Sequence, residues 1–138
     1  MIDNELSSAV GVFAIRCVAG ILFFFQGYDK VFRIKTEGVL NTFSDALAKR
    51  HISKTSVRMF IAISSFIELV GGLLLAVGLF REPVIYLLTA NMIGVALGFS
   101  ILKPVWDMAH YFPRFVLLSA LMFIPEKWDK FCLDSLFR

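Results

Sequence analysis

Cysteine, histidine and proline are scarce in this chain, with two, two and four copies among 138 residues, and each scarcity closes off a class of protein. Cys17 and Cys132 form no CxxC pair, so neither a thioredoxin-like redox motif nor a zinc site is encoded, and both read as structural thiols. His51 sits in a loop and His110 near the start of an apolar run, an arrangement that argues against a two-histidine haem. A strong bias to one sign of charge is also lacking. The 14 basic residues face 11 acidic ones for a net charge of +3, and they interleave with acids outside the apolar runs, which argues against nucleic-acid binding. The opening Met1-Ile-Asp-Asn-Glu5 carries no basic n-region, so the first apolar run is expected to be retained as a span rather than cleaved as a signal peptide.

What the chain has in abundance is apolar surface. It is 58% hydrophobic, its mean hydropathy is +0.76, and it holds 15 phenylalanines, three of them consecutive at Phe23, Phe24 and Phe25. A soluble fold this small could not bury them and would expose large apolar patches, a difficulty that a lipid bilayer removes. The expected architecture is an all-α membrane protein, a single domain over 1–138. It would be a four-transmembrane-helix bundle with spans near 9–28, 57–80, 83–102 and 104–124, each holding about 20 mostly apolar residues.

Gly78 with Arg81-Glu82-Pro83, and then Lys103-Pro104, separate the last three runs so tightly that these helices should be antiparallel neighbours. The longer connection over 31–56 reads as an amphipathic interfacial segment, with a short helix at 42–48 and Ser44 as its cap. Past Pro125, Trp128, Phe131, Cys132 and Leu136 share one face, which predicts a C-terminal amphipathic surface helix. Arg33, Lys35, Lys49, Arg50 and Lys54 concentrate positive charge in the long connection. The positive-inside rule then puts that connection in the cytoplasm and both termini outside, for a multi-pass protein of the cell inner (cytoplasmic) membrane.

Ionisable residues inside a bilayer cost several kcal/mol and mark candidate functional sites. Counting at about 1.5 Å of rise per residue from the long-connection face, Glu68 lies about 16 Å from Val57, Arg114 about 15 Å from Pro104, Asn91 about 16 Å from Leu102 and Arg16 about 18 Å from Tyr28. All four should therefore meet near the midplane as a polar cluster in which two guanidiniums face one carboxylate. The excess positive charge would attract a polarised or anionic group, such as a quinone carbonyl or a carboxylate, with Asn91 adding a neutral hydrogen bond.

The spacing sorts the remaining polar and small residues onto faces. Arg16, Gly20, Phe23, Gly27 and Lys30 recur on one face of the first helix. Ser64, Glu68, Gly71, Gly72 and Leu75 form the matching face of the second, and Gly94 with Gly98 give the third a GxxxG spacing. Gly20, Gly27, Gly71, Gly72, Gly94 and Gly98 are accordingly helix-packing positions, which also leave room for a homodimer. On the fourth helix Lys103, Asp107, His110 and Arg114 descend in a stripe, so Asp107 and His110 join Lys30 as secondary site candidates.

Each of these residues has a plainer reading. Arg16 with Glu68 can be a structural ion pair that fixes helix packing, Asn91 an interhelical hydrogen bond, Lys30 a snorkelling lysine and His110 an interfacial residue. No set of residues amounts to a self-sufficient catalytic constellation or a metal site, and no cofactor is specified outright.

The segment from Arg16 through Gly20 and Gly27 to Lys30-Val-Phe32 resembles the opening motif of the DoxX family. Phe66-Ile-Glu68-Leu-Val-Gly71-Gly72, with Gly78 after it, resembles that family's second helix. The resemblance implies a four-helix membrane protein whose relatives serve quinone-coupled sulfur oxidation and membrane oxidoreductase assemblies in oxidative-stress defence, and, more distantly, cargo receptors and chaperones. Arg16, Gly20, Gly27, Lys30, Glu68, Gly71 and Gly72 carry over by position.

Two functions follow as expectations. The first is an accessory or quinone-interacting subunit that works with a membrane or peripheral redox protein. The alternative is a non-enzymatic helper binding a lipid or a client protein. A small transporter using the fourth-helix stripe has less behind it, because no inverted repeat is evident.

Overall fold

A computed structural model describes residues 4–102 and 111–136, and among these every regular element is helical. Helix α1 runs over Asn4–Tyr28 and passes without a break into a π-helical turn at Asp29–Arg33, closed by the bond from the Ile34 amide to the Asp29 carbonyl. Two short helices follow, α2 over Lys35–Asn41 and α3 over Ser44–Lys49. The long helices α4 (Lys54–Val77) and α5 (Arg81–Leu102) come next, then α6 over Phe112–Phe123 and two 3₁₀ turns at Glu126–Trp128 and Leu133–Leu136. Three stretches, Asn4–Arg33, Lys54–Val77 and Arg81–Leu102, are long and apolar enough to cross a membrane, and Phe112–Phe123 is a shorter apolar helix. The expected span at 104–124 is thus described only from residue 111 onward.

The bundle is built on α1 and α4, which pack antiparallel and unusually close. A Cβ on Gly20 would fall 2.5 Å from the Ala76 nitrogen, one on Gly27 would strike the Leu69 backbone, and one on Gly72 would strike the Phe24 backbone. Only a Cα without a Cβ permits that approach, which is how small residues drive helix pairing where lipid supplies no hydrophobic force. Gly71 instead receives the Leu88 side chain of α5. Gly94 and Gly98 receive an aromatic ring, that of Phe60 on α4, and not a helix backbone. The faces expected from spacing are the buried ones: Arg16, Gly20, Phe23 and Gly27 on α1, and Ser64, Glu68, Gly71, Gly72 and Leu75 on α4.

Because Gly27 lies beside Leu69, the first turns of α4 extend past the regular part of α1. Helices α2 and α3 fill that gap. Leu40, Phe43 and Leu47 bury against Ile61, with Phe99 and Leu102 packed alongside. The connection is therefore a packed part of the bundle, not a segment lying on a surface. Ser44 is the first residue of α3 and makes no capping bond; Thr42 ends α2 by bonding back to Gly38 and Val39.

The connection between α4 and α5 follows from Gly78. Its φ of 73° lets the Gly78 and Leu79 amides return to the Leu75 and Leu74 carbonyls, the paired bonds of a Schellman motif. A Cβ there would also strike the Arg16 guanidinium and Cys132.

The C-terminal segment differs from expectation: it holds two 3₁₀ turns in place of an amphipathic surface helix. Trp128 and Phe131 remain half-exposed, but Asp129 is pulled into the protein at 3% exposure, and the charge pairing described below sets the course of this segment. Asp134 accepts the amides of Phe80 and Arg81, both at 2.9 Å, and so caps the start of α5 from more than fifty residues away.

Candidate functional site

Three of the four residues expected to form one polar cluster divide between two, and Asn91 joins neither. At the middle of α4, the Glu68 carboxylate is fully buried and held from both sides. The Lys30 ammonium reaches Oε2 at 2.6 Å, and the Arg114 guanidinium on α6 reaches Oε1 at 3.3 Å and lies over the Phe23 ring. Lys30 stands on the π-helical turn, a feature common at functional sites.

Arg16 is not part of this group. It lies fourteen positions before Lys30 on the same helix, about 21 Å away by helical rise. There it pairs with Asp129, its Nε 3.0 Å from Oδ2. Measuring depth from the ends of the apolar runs misplaced it, because α1 carries its helix on to Arg33 while α4 begins at Lys54. Glu68 is therefore level with the end of α1 and not with its middle.

The second cluster is tied into the surrounding backbone, and Arg81 also borders a space of about 220 Å³. Asp129 lies between Arg16 and Arg81, with the Arg81 Nε 3.2 Å away, an ion pair without hydrogen-bond alignment. Arg16 also donates to the carbonyls of Leu75, Ala76 and Phe131, and Arg81 to those of Leu121 and Ile124. Those acceptors lie in the last turns of α4 and α6 and in the chain just after them, where helical carbonyls run out of partners and the helix dipole is negative. Carbonyls at helix ends thus supply further partners for each guanidinium.

Neither Asp129 nor Arg81 was singled out from the sequence. Arg81 falls in the tight connection between the second and third spans, and Asp129 in the segment expected to form a surface helix. Asn91 is 8% exposed with its amide nitrogen unpartnered, so the interhelical hydrogen bond that nitrogen could have donated is not made. Asp107 and His110 lie outside the described residues.

Two spaces adjoin the Lys30–Glu68 pair. An open groove of about 540 Å³ runs between α1 and α6, lined by Leu22, Phe25, Asp29, Pro113, Lys30 and Arg114. Behind Lys30 and Gln26 lies a smaller cavity of about 100 Å³, walled by Phe43, Phe60, Phe99 and Ser64. This second space was not anticipated, because most of its walls are ordinary apolar residues drawn from four separate segments.

No curated protein and no solved structure matches the chain. The sequence profile of the DoxX family matches residues 11–101, a stretch that contains Arg16, Lys30, Glu68 and Arg81 but stops short of their partners Arg114 and Asp129. On that match, and with the helices it spans packed as described, the chain belongs to the DoxX family of membrane proteins.

Proposed function

We propose that this protein is an accessory subunit of a membrane oxidoreductase assembly, holding a quinone headgroup at Lys30, Glu68 and Arg114 while partner proteins carry out electron transfer. The observation that carries this reading is that two cations converge on one buried carboxylate midway along a membrane helix, and both line a groove open between α1 and α6. The Lys30 ammonium has three donors and is 18% exposed, so it can give one to Glu68 and another to a quinone carbonyl. Phe25 and Pro113 offer apolar walls for the ring. When bound, the quinone supplies the redox chemistry; the chain binds and orients it.

The same reading includes a fourth crossing. Leu102 ends α5 beside the packed connection, whereas Ile124, after α6, reaches Arg81 at the start of α5. A return across the bundle between these two ends is what the proposal assigns to the fourth crossing. A cytoplasmic connection at 31–56, external termini and an inner-membrane location complete the proposal, resting on the basic residues of that connection.

Native mass spectrometry of protein taken from its membrane in lipid nanodiscs tests the reading. Wild-type protein should retain a quinone, Glu68→Gln should lose most of it, and a redox protein should co-purify. Retention of phospholipid with no quinone would favour the lipid-binding helper instead, which the mainly apolar groove walls also suit.

A further inference from the structure

We infer that the small cavity behind Lys30 is itself a binding site, for a membrane lipid whose head is a single uncharged, hydrogen-bond-accepting ring. That lipid reaches the cavity sideways between α4 and α5, past Phe60. The inference rests on the reading that the protein binds a membrane-dissolved ligand, but it places the ligand's head in a different space and names its route.

The first observation is the Ser64 hydroxyl. Ser65, Thr89, Ser100 and Ser119 each donate to the carbonyl four residues back, the ordinary solution for a hydroxyl in an apolar helix. Ser64 does not. It is 4% exposed, has no hydrogen-bond partner and stands on the cavity wall. A buried hydroxyl left unpaired costs about 1–3 kcal/mol, which a ligand acceptor would recover.

The rest of the wall defines the ligand. Lys30 and Gln26 bring further donors to one side, while Phe43, Phe60 and Phe99 supply aromatic faces. The Lys30 charge is already matched by Glu68, so nothing on the wall calls for an anionic head. A volume of about 100 Å³, below the roughly 150 Å³ of an engineered cavity that holds benzene, leaves room for no more than one small ring, entered as Phe60 gives way, and none for a phospholipid headgroup.

The route follows from Phe60. Its ring belongs to the cavity wall and also to an apolar groove of about 230 Å³ on the outer face of α4 and α5, floored by Gly94 and Gly98. The ring rests on Gly94, 3.2 Å from where a Cβ would be, and is 42% exposed, so rotation toward lipid opens the cavity to the groove. Toward the packed connection, Phe43 is set edge-on against Phe99 and narrows that side. The two glycines therefore form a trough for an apolar chain.

A decyl-benzoquinone bearing a diazirine on its tail, photolysed with the full-length protein in phosphatidylcholine nanodiscs, tests this by peptide mapping of the label. Saturable label is expected on α4 and α5 around Phe60, Gly94 and Gly98, competed by unlabelled decyl-benzoquinone and unaffected by added phosphatidylglycerol. Ser64→Val should raise the half-saturating concentration about 3- to 10-fold, the worth of one hydrogen bond, and Gly98→Leu should abolish the α4–α5 label by filling the trough. Phe60→Ala should speed labelling, a gain that misfolding cannot imitate.

Label confined to Leu22, Phe25 and Pro113 would overturn the inference while leaving the quinone-binding function standing. Competition by phosphatidylglycerol would likewise overturn it in favour of a phospholipid. Absence of saturable label anywhere would remove both.

Discussion

The two buried ion clusters contain the same kinds of group and do different work. At the terminal end of the bundle, Asp129 joins Arg16 and Arg81, and five backbone carbonyls accept further guanidinium bonds, so the cluster is tied into the backbone on several sides. Midway along α4, Glu68 joins Lys30 and Arg114 beside an open groove and a cavity with an unpaired hydroxyl. The comparison teaches that a buried charge says little about function until its surroundings are counted. Tied into backbone carbonyls at helix ends it is a clasp; set beside a groove and an unpaired buried hydroxyl it is a candidate site.

That distinction can be broken most directly at the clasp. Asp129→Ala leaves two arginines buried without their carboxylate, and removing one partner of a buried pair costs about 3–5 kcal/mol. The expected result is a large drop in unfolding temperature in detergent, with rapid proteolysis after Pro125. If Asp129→Ala were as stable as wild type while Glu68→Gln unfolded, the roles assigned to the two clusters would have to be exchanged.

A smaller effect separates the glycines. Gly72→Ala sets a methyl group against the Phe24 backbone, which cannot turn aside, and overpacking of this kind costs about 1–3 kcal/mol. Gly98→Ala meets only a Phe60 ring carbon at 3.9 Å and should be close to neutral. Thermal unfolding of the two variants side by side checks whether α1 against α4 is the rigid seam of the bundle.

The smallest effect is expected at the surface. Arg58 and Glu37 form an ion pair between half-exposed side chains, so Arg58→Ala should change stability by less than about 1 kcal/mol, and less again in high salt. A larger loss would mean that α2 is held to α4 by charge and not by Leu40, Phe43 and Leu47.

Much of the helical framework was legible in the residues. The 3.6-residue period identified the faces of α1 and α4 that became buried, and the Arg16-to-Lys30 and Glu68-to-Gly72 patterns pointed to the family. Gly78 announced its turn because only glycine accepts φ near 73° without cost. The candidate site was legible only in part. Glu68 and Arg114 were placed together correctly, but Lys30 stood in the second rank of candidates and Arg16 was given a neighbour it does not have. An apolar run marks where a chain can enter lipid; it does not mark how far the helix continues or how neighbouring helices slide along one another.

The glycine pattern determined that α1 and α4 pack closely, since a backbone contact requires the missing Cβ on a particular face and that face is written in the spacing. Which charge meets which was decided by the tertiary structure alone. Asp129 finds Arg16 across more than a hundred residues because the stagger of the helices and the return of the chain after α6 bring them into contact. A local period of 3.6 residues carries no information about either.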